Sequence, residues 1–296
     1  MKAVDLFAGA GGFSTGAKMA GVDVVWAANH WRAAVDCHAA NHPSVAHMCQ
    51  DLHQADWNQV PAHDVLLASP SCQGHAKARG KERPHHDAAR STAWAVVSCA
   101  EVHRPEFVVV ENVPEFRRWL LYPAWTQAMN ALGYSTAEHV INAADHGVPQ
   151  SRVRLFVVCS RSKAPLQLKF QPKAHVPASS FITAPGTTPV SSLCARSQAR
   201  IANGRAEHGS RFLMAYFGTE KGGRSLNAPL GTVTTRDRYA LVDGDNCRIL
   251  TVDEYRQAMG FPDYQLPANK KLAKHLLGNA VCPPVARDIL LQLAKN

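Results

Sequence analysis

Residues 64–74 read DVLLASPSCQG, an apolar run that stops abruptly at Ser69-Pro70-Ser71-Cys72-Gln73-Gly74. Val65, Leu66, Leu67 and Ala68 show no polar alternation, the pattern of a strand covered on both faces in a parallel sheet. Loops at the carboxyl ends of such strands are where open α/β sheets bind ligands, and Cys72 stands in one. Taken alone, Cys72 is more readily a buried structural thiol than a nucleophile. A second run, Phe107-Val108-Val109-Val110-Glu111-Asn112-Val113, is built the same way and ends in an acid. A carboxyl group at that place is costly to bury without a partner, which makes Glu111 a candidate functional group.

Outward from these two runs the chain alternates strands and helices. KAVDLF at 2–7 reads as a first strand, AGAGG at 8–12 as a tight turn, and a helix begins near Ser14. Without side chains, Gly9, Gly11 and Gly12 let a ligand approach the main chain, and the helix N-terminus favours negative charge, although such a turn can equally be only a turn. A second strand, Val22 to Ala27, leads to Asn29-His30-Trp31 and a helix over 33–38, which puts His30 where nucleotide-type folds meet a ribose. Asp51 is either a contact to an adenine amino group or a simple turn residue. The basic stretch 75–90, with Lys77, Arg79, Lys81 and Arg83, reads as a loop that closes over a phosphate backbone or is merely solvated. Helices over 91–103 and 119–132 and strands over 135–142 and 154–159 continue the alternation. Between those strands, Gln150-Ser151-Arg152-Val153-Arg154 sets two arginines on one face of an extended segment, suited to a phosphate, a substrate carbonyl or a structural ion pair.

From Ser160 to Leu193 the texture turns irregular and rich in Pro, Ser, Thr and Lys. RSLNAPLGTVTTRDRYALV at 224–242 then alternates like a hairpin and carries Arg224, Arg236 and Arg238. TVDEYRQAMGFP at 251–262 predicts an amphipathic helix ending at Gly260, and GNAVCPPVARDILLQLAK at 278–295 a loop running into a last helix. The expected division is a catalytic and cofactor-binding domain over 1–159, a small basic domain over 160–247, and a return to the first domain over 248–296. Residues 160–247 hold twelve Lys and Arg against five Asp and Glu, so most of the chain's +9 charge falls there and the surface for a polyanionic partner is expected there. The eight cysteines form no Cys-x-x-Cys pair, which argues against a zinc site or disulfide scaffold; no metal is expected. No stretch approaches the ~20 apolar residues that span a bilayer, and the N-terminus enters a strand directly, so a cytoplasmic protein without membrane partners is expected.

DLFAGAGGFSTG at 5–16, SPSCQG at 69–74, ENV at 111–113, QSRVR at 150–154, the 251–262 helix and GNAV at 278–281 together resemble the ordered motifs of the cytosine carbon-5 DNA methyltransferases. The resemblance covers nearly the whole chain outside 160–247. It implies a doubly wound, mostly parallel sheet of the Rossmann-like methyltransferase type, its last helix beside its first, with a small target-recognition domain inserted after the arginine motif. The activity it implies is transfer of a methyl group from S-adenosylmethionine to carbon 5 of cytosine in a specific duplex DNA sequence, by a monomer. Cys72 would be the nucleophile, Glu111 the acid near ring nitrogen 3, and Arg152 and Arg154 the groups that position the base and the Cys loop. Phe7, Gly9, Gly11, Gly12, Trp31, Asp51 and Asn279 correspond to cofactor contacts, with His30 and Pro70 completing the expected set.

The chemistory of those residue types agrees. Carbon 5 of cytosine is too weak a nucleophile to attack a methyl sulfonium, but adding a thiolate to carbon 6 creates an enamine that does. An acid on nitrogen 3 drains the developing charge, so Glu111 is expected to have a raised pKa, and the base must leave the helix to reach the site. Two positions depart from the family pattern: Ser71 replaces the proline before the cysteine, and His30 replaces an acid. The alternatives are a cytosine-5 methyltransferase acting on transfer RNA and a catalytically silent DNA-binding relative. A cognate restriction endonuclease would leave no mark in this sequence.

Overall fold

The structure, a computed structural model, describes residues 1–71, 91–216 and 222–295. Cys72 and the basic residues Lys77, Arg79, Lys81 and Arg83 lie outside the described residues. The first half alternates β1 (Lys2–Leu6), α1 (Gly12–Met19), β2 (Asp23–Asn29), α2 (Arg32–Asn41), β3 (Ala46–Cys49), β4 (Val65–Ala68), α3 (Trp94–His103), β5 (Phe107–Asn112), α4 (Tyr122–Ala131), β6 (Ser135–Asn142) and β7 (Val153–Ser160). Their seven strands form one sheet in the order β3-β2-β1-β4-β5-β7-β6. Pairing is parallel from β3 through β5, and β7 runs antiparallel to both β5 and β6.

The continuous apolar runs are explained by burial on both faces of this sheet. Alternate residues of β4 and β5 go to opposite cores: Val65, Leu67 and Val109 to one, Leu66, Ala68, Val108 and Val110 to the other. The second of these cores is closed by Val96 and Cys99 of α3 and by Trp125 and Met129 of α4. The first is closed by α1 and by the last helix, α8 (Pro283–Leu293), through Phe13, Ala17, Val285 and Ile289. α1 and α8 lie unusually close, because a Cβ on Gly12 would stand 2.1 Å from the carbonyl oxygen of Val281 and one on Gly16 2.5 Å from the Ala286 methyl.

A second, five-stranded antiparallel sheet has the order β10-β9-β11-β12-β8. It comprises β8 (Thr188–Pro189), β9 (Arg211–Ala215), β10 (Gly223–Arg224), β11 (Tyr239–Asp243) and β12 (Asn246–Ile249), with α5 (Ala195–His208) packed on it. Ile201, Phe212, Met214, Ala240, Val242 and Cys247 give this part a core of its own. β12 continues past position 247 to Ile249, so the sheet reaches slightly into the stretch that follows. The chain then returns through α6 (Val252–Ala258) and α7 (Lys270–Asn279) to α8. Thr251 and Glu254 form a reciprocal capping box at the start of α6, and Arg248 of β12 holds Glu254 with two charge-assisted bonds of 2.6 and 2.8 Å.

The hairpin expected over 224–242 does not form. β10 and β11 both pair with β9, and residues 225–238 leave the sheet. Their alternation is nevertheless real, because the segment lies in an extended path against Pro149–Arg152, just ahead of β7: Leu230 N donates to Pro149 O at 3.0 Å and Ser151 N to Leu230 O at 2.8 Å. Among the described residues no helix is long and apolar enough to cross a membrane.

Candidate active site

Four adjacent parallel strands end at one pocket of about 310 Å³, near the lower end of the roughly 300–1,000 Å³ typical of ligand sites. β1 contributes Phe7 and Gly9, β2 contributes His30 and Trp31, β4 leads to Pro70, and β5 contributes Glu111. Asn279, from the end of α7, completes the wall. The strand order reverses between β1 and β4, the place where doubly wound sheets open a crevice at their carboxyl ends. Phe7 and Gly9 hold positive φ angles of 59° and 55°, so the main chain turns sharply as it leaves β1.

The pocket does not include every expected contact. Gly11 faces the protein, where a Cβ would stand 2.5 Å from the Tyr264 hydroxyl, and Gly12 faces the Val281 backbone just ahead of α8. Asp51 is outside the lining; its Oδ1 accepts from His53 N at 3.0 Å and from His53 Nδ1 at 2.9 Å. These bonds, the backbone one foremost, hold its carboxyl below the usual range. Sequence reasoning overlooked Asn29, Ser69, Thr92 and His275, which also line the pocket. His275 comes from α7, far along the chain, and meets Trp31 edge-on with ring centroids 5.1 Å apart.

The segment entering the Cys72 loop is held from both sides. The Asn112 amide donates to Pro70 O at 3.2 Å, and Ser71 N donates to Thr92 Oγ1 at 3.1 Å. The proline expected at 71 has no N–H, so the serine adds a donor, and Thr92 accepts from it. Ser71, the residue before Cys72, lines the pocket together with Glu111.

Glu111 is 6% exposed. It stands opposite Phe156 in the β5–β7 ladder, which sets Arg154, two residues earlier on the same face of β7, diagonally against it, with Nε 3.1 Å from Oε1. Burial raises the Glu111 pKa, and the nearby Arg154 and Arg152 charges offset only part of that effect. Arg152 is 3% exposed, and its charge too acts on the acid. It donates to Val233 O at 2.9 Å and to Gly278 O and Ala280 O at 3.0 Å each, joining the 225–238 segment and the GNAV segment to the sheet. Gln150, fully buried, assists: its amide donates to Ala258 O at 3.1 Å and its oxygen accepts from Val233 N at 2.7 Å.

Behind the glycine turn lies a buried polar chain that no spacing rule revealed. Ser14 Oγ donates to Asp5 Oδ2 at 2.6 Å and meets His38 Nε2 at 2.9 Å; His38 Nδ1 meets His47 Nε2 at 2.8 Å. Burial pushes the Asp5 carboxyl up to about 7 and drives His38 well below the usual histidine range. The folded state therefore favours the neutral acid, and the stability that this contributes below the ordinary aspartate pKa is lost as pH rises toward 7. Replacing Asp5 by Asn removes that loss while leaving the histidines, whose lowered values act in the opposite sense. Thermal unfolding should show an Asp5→Asn minus wild-type stability difference that grows in favour of Asn by up to a few kcal/mol between pH 4 and 8. A difference that stays flat across this range would refute the assignment.

The family model for the C-5 cytosine-specific DNA methylase matches residues 1–189 and 196–295. Among curated relatives, the Type II methyltransferase M.NlaX of Neisseria lactamica is 28% identical over 99% of this chain and 96% of its own. The Type II methyltransferase M1.HphI of Haemophilus parahaemolyticus is 29% identical over 97% of this chain and 84% of its own. Among solved structures, a putative DNA modification methyltransferase encoded within an E. coli prophage superposes with a TM-score of 0.74 at 20% identity, covering 100% of this chain and 99% of that one. The DNMT2 of Spodoptera frugiperda superposes with a TM-score of 0.73 at 18% identity, covering 100% and 99%.

Proposed function

The chain belongs to the C-5 cytosine-specific DNA methylase family, and on that premise we propose the residues with which it methylates carbon 5 of cytosine in duplex DNA, as a DNA (cytosine-5-)-methyltransferase using S-adenosylmethionine. The observation that carries the reading is Glu111, a buried acid with a raised pKa at the end of a parallel strand, sharing one pocket with the residue that precedes Cys72. The pocket suits the cofactor: Phe7 and Trp31 offer ring faces, Asn29, His30, Thr92 and Asn279 offer hydrogen-bonding groups, and Gly9 leaves the main chain open to a ligand. When bound, S-adenosylmethionine supplies an electrophilic methyl group. Asp51 would serve the adenine amino group only through the oxygen not occupied by His53, and Gly11 and Gly12 support the turn from behind rather than lining the site.

The Cys72 thiolate adds to carbon 6 of a cytosine turned out of the duplex, forming a sulfur–carbon bond and pushing the ring electrons toward nitrogen 3. Glu111, in the protonated form that burial favours, gives its proton to nitrogen 3, so that carbon 5 becomes an enamine carbon rather than part of an anion. Arg154, anchored on Glu111, sets the acid's orientation, and Arg152 fixes the frame around it. After carbon 5 has gained its methyl group, water takes the carbon-5 proton, the electrons of that C–H bond form the carbon 5–carbon 6 double bond, and the sulfur–carbon bond breaks to expel the thiolate. Nitrogen 3 gives back its proton to Glu111, which restores the starting state.

Transfer of tritium from labelled S-adenosylmethionine to duplex DNA, compared with transfer RNA, tests the reading. Label in DNA at carbon 5 of cytosine is expected. Label in transfer RNA alone would move the protein to the RNA-modifying alternative, and label in neither would support the silent relative.

A further inference from the structure

Most arginines of the second domain are engaged within the protein. Arg205 binds Gly244 O at 2.6 Å and Asp245, Arg211 binds the carbonyls of Ile182 and Thr183 and faces Asp243, and Arg238 donates to Thr234 Oγ1 at 3.4 Å. The charge surplus of this domain is therefore only partly available to a partner. Arg236 differs. Its side chain is exposed and makes no hydrogen bond or ion pair among the described residues.

The backbone on either side of it, by contrast, is tied to the rest of the protein. Thr232 Oγ1 donates to Ser151 O at 2.9 Å, Val233 lies between Gln150 and Arg152, and Arg236 N and O both bond Thr234 Oγ1, at 3.4 and 3.2 Å. The next residue, Asp237, is held by Lys274 Nζ at 2.6 Å. The loop also lies against the site's own wall, since a Cβ on Gly278 would stand 2.4 Å from the carbonyl carbon of Thr234, and the neighbouring Asn279 lines the pocket. Helix α7 thus carries the pocket on one side, through His275 and Asn279, and the loop on the other, through Lys274 and Gly278.

We propose that Arg236 is a specificity-determining residue that reads a guanine directly flanking the target cytosine. This rests on the methyltransferase reading above and adds to it which residue recognises which base. A phosphate is a point charge that a flexible, loosely placed cation can serve, whereas the O6 and N7 edge of guanine in the major groove needs a planar fork at a set angle. An arginine whose loop is tied down on both sides, at Val233 and Asp237, and whose guanidinium is free meets the second requirement. Its attachment to the catalytic frame through Val233 and Lys274, besides its continuation into β11, puts it beside the place from which the base is withdrawn.

The test is methylation of a duplex library with random bases around cytosine, read by sequencing the methylated products. The wild type should show a fixed guanine next to the methylated base. Arg236→Ala should lower the preference for that guanine by roughly tenfold or more with the other positions intact, and Arg236→Gln should move it toward adenine, whose N6 and N7 suit an amide. An unchanged base profile, with methylation weaker on all sequences and a salt dependence shallower by about one phosphate contact, would make Arg236 a backbone contact and overturn the proposal. So would a wild-type profile without a flanking guanine. Absence of any DNA methylation by the wild type would instead remove the underlying reading.

Discussion

Cys72→Ala is expected to lower methyl transfer to DNA by roughly a thousandfold or more, since removing a nucleophile removes the covalent route and leaves only binding and polarisation of the base. The same variant should bind S-adenosylmethionine as the wild type does, because no step assigned to the thiol involves holding the cofactor. Duplex DNA with 5-fluorocytosine at the target separates chemistry from binding. Fluorine cannot leave carbon 5 as a proton does, so after methylation the thiolate cannot be expelled and the wild type should remain attached to the DNA through a denaturing gel. Cys72→Ala should give no such species. Normal methylation by the variant would show that another group attacks carbon 6, or that none does.

The strand ends of the catalytic half were legible because a strand buried on both faces leaves a run that nothing else produces so briefly. β4 and β5 lie within the runs first noticed, and β6 spans the expected 135–142. What the alternation of 224–242 could not reveal was the identity of its partner. A period of two reports an extended segment with one buried side, and here the main chain of Val233 bonds the side chains of Gln150 and Arg152 instead of another strand of its own sheet. The AGAGG turn was ambiguous for a related reason. A missing side chain serves a ligand at Gly9 and a helix contact at Gly12, and the sequence signal is the same for both. The network of Asp5, Ser14, His38 and His47 was out of reach, because its members come from four elements and no local pattern joins them.

That comparison bears on Glu111, which sequence marked as an acid in a costly place and structure supplied with Arg154. Two effects oppose each other there: burial favours the protonated acid and the arginines favour the carboxylate, with burial the larger. The acid works only while protonated, so its contribution to rate is full at low pH and falls as pH rises through its raised pKa. The Cys72 thiolate contributes in the opposite direction, increasing toward the ordinary cysteine pKa of about 8.5. The wild-type pH–rate profile should therefore be bell-shaped, with neither group fully in its active form at the maximum. Glu111→Gln retains an oxygen for Arg154 but has no proton to give, and it should lower the rate by about 10²–10⁴ while abolishing the alkaline limb. Adduct formation with 5-fluorocytosine should slow by the same factor, since the acid assists the step in which sulfur adds. If the Gln variant keeps an alkaline limb with an unchanged midpoint, that limb belongs to a different group and Glu111 acts only by its shape and its hold on Arg154.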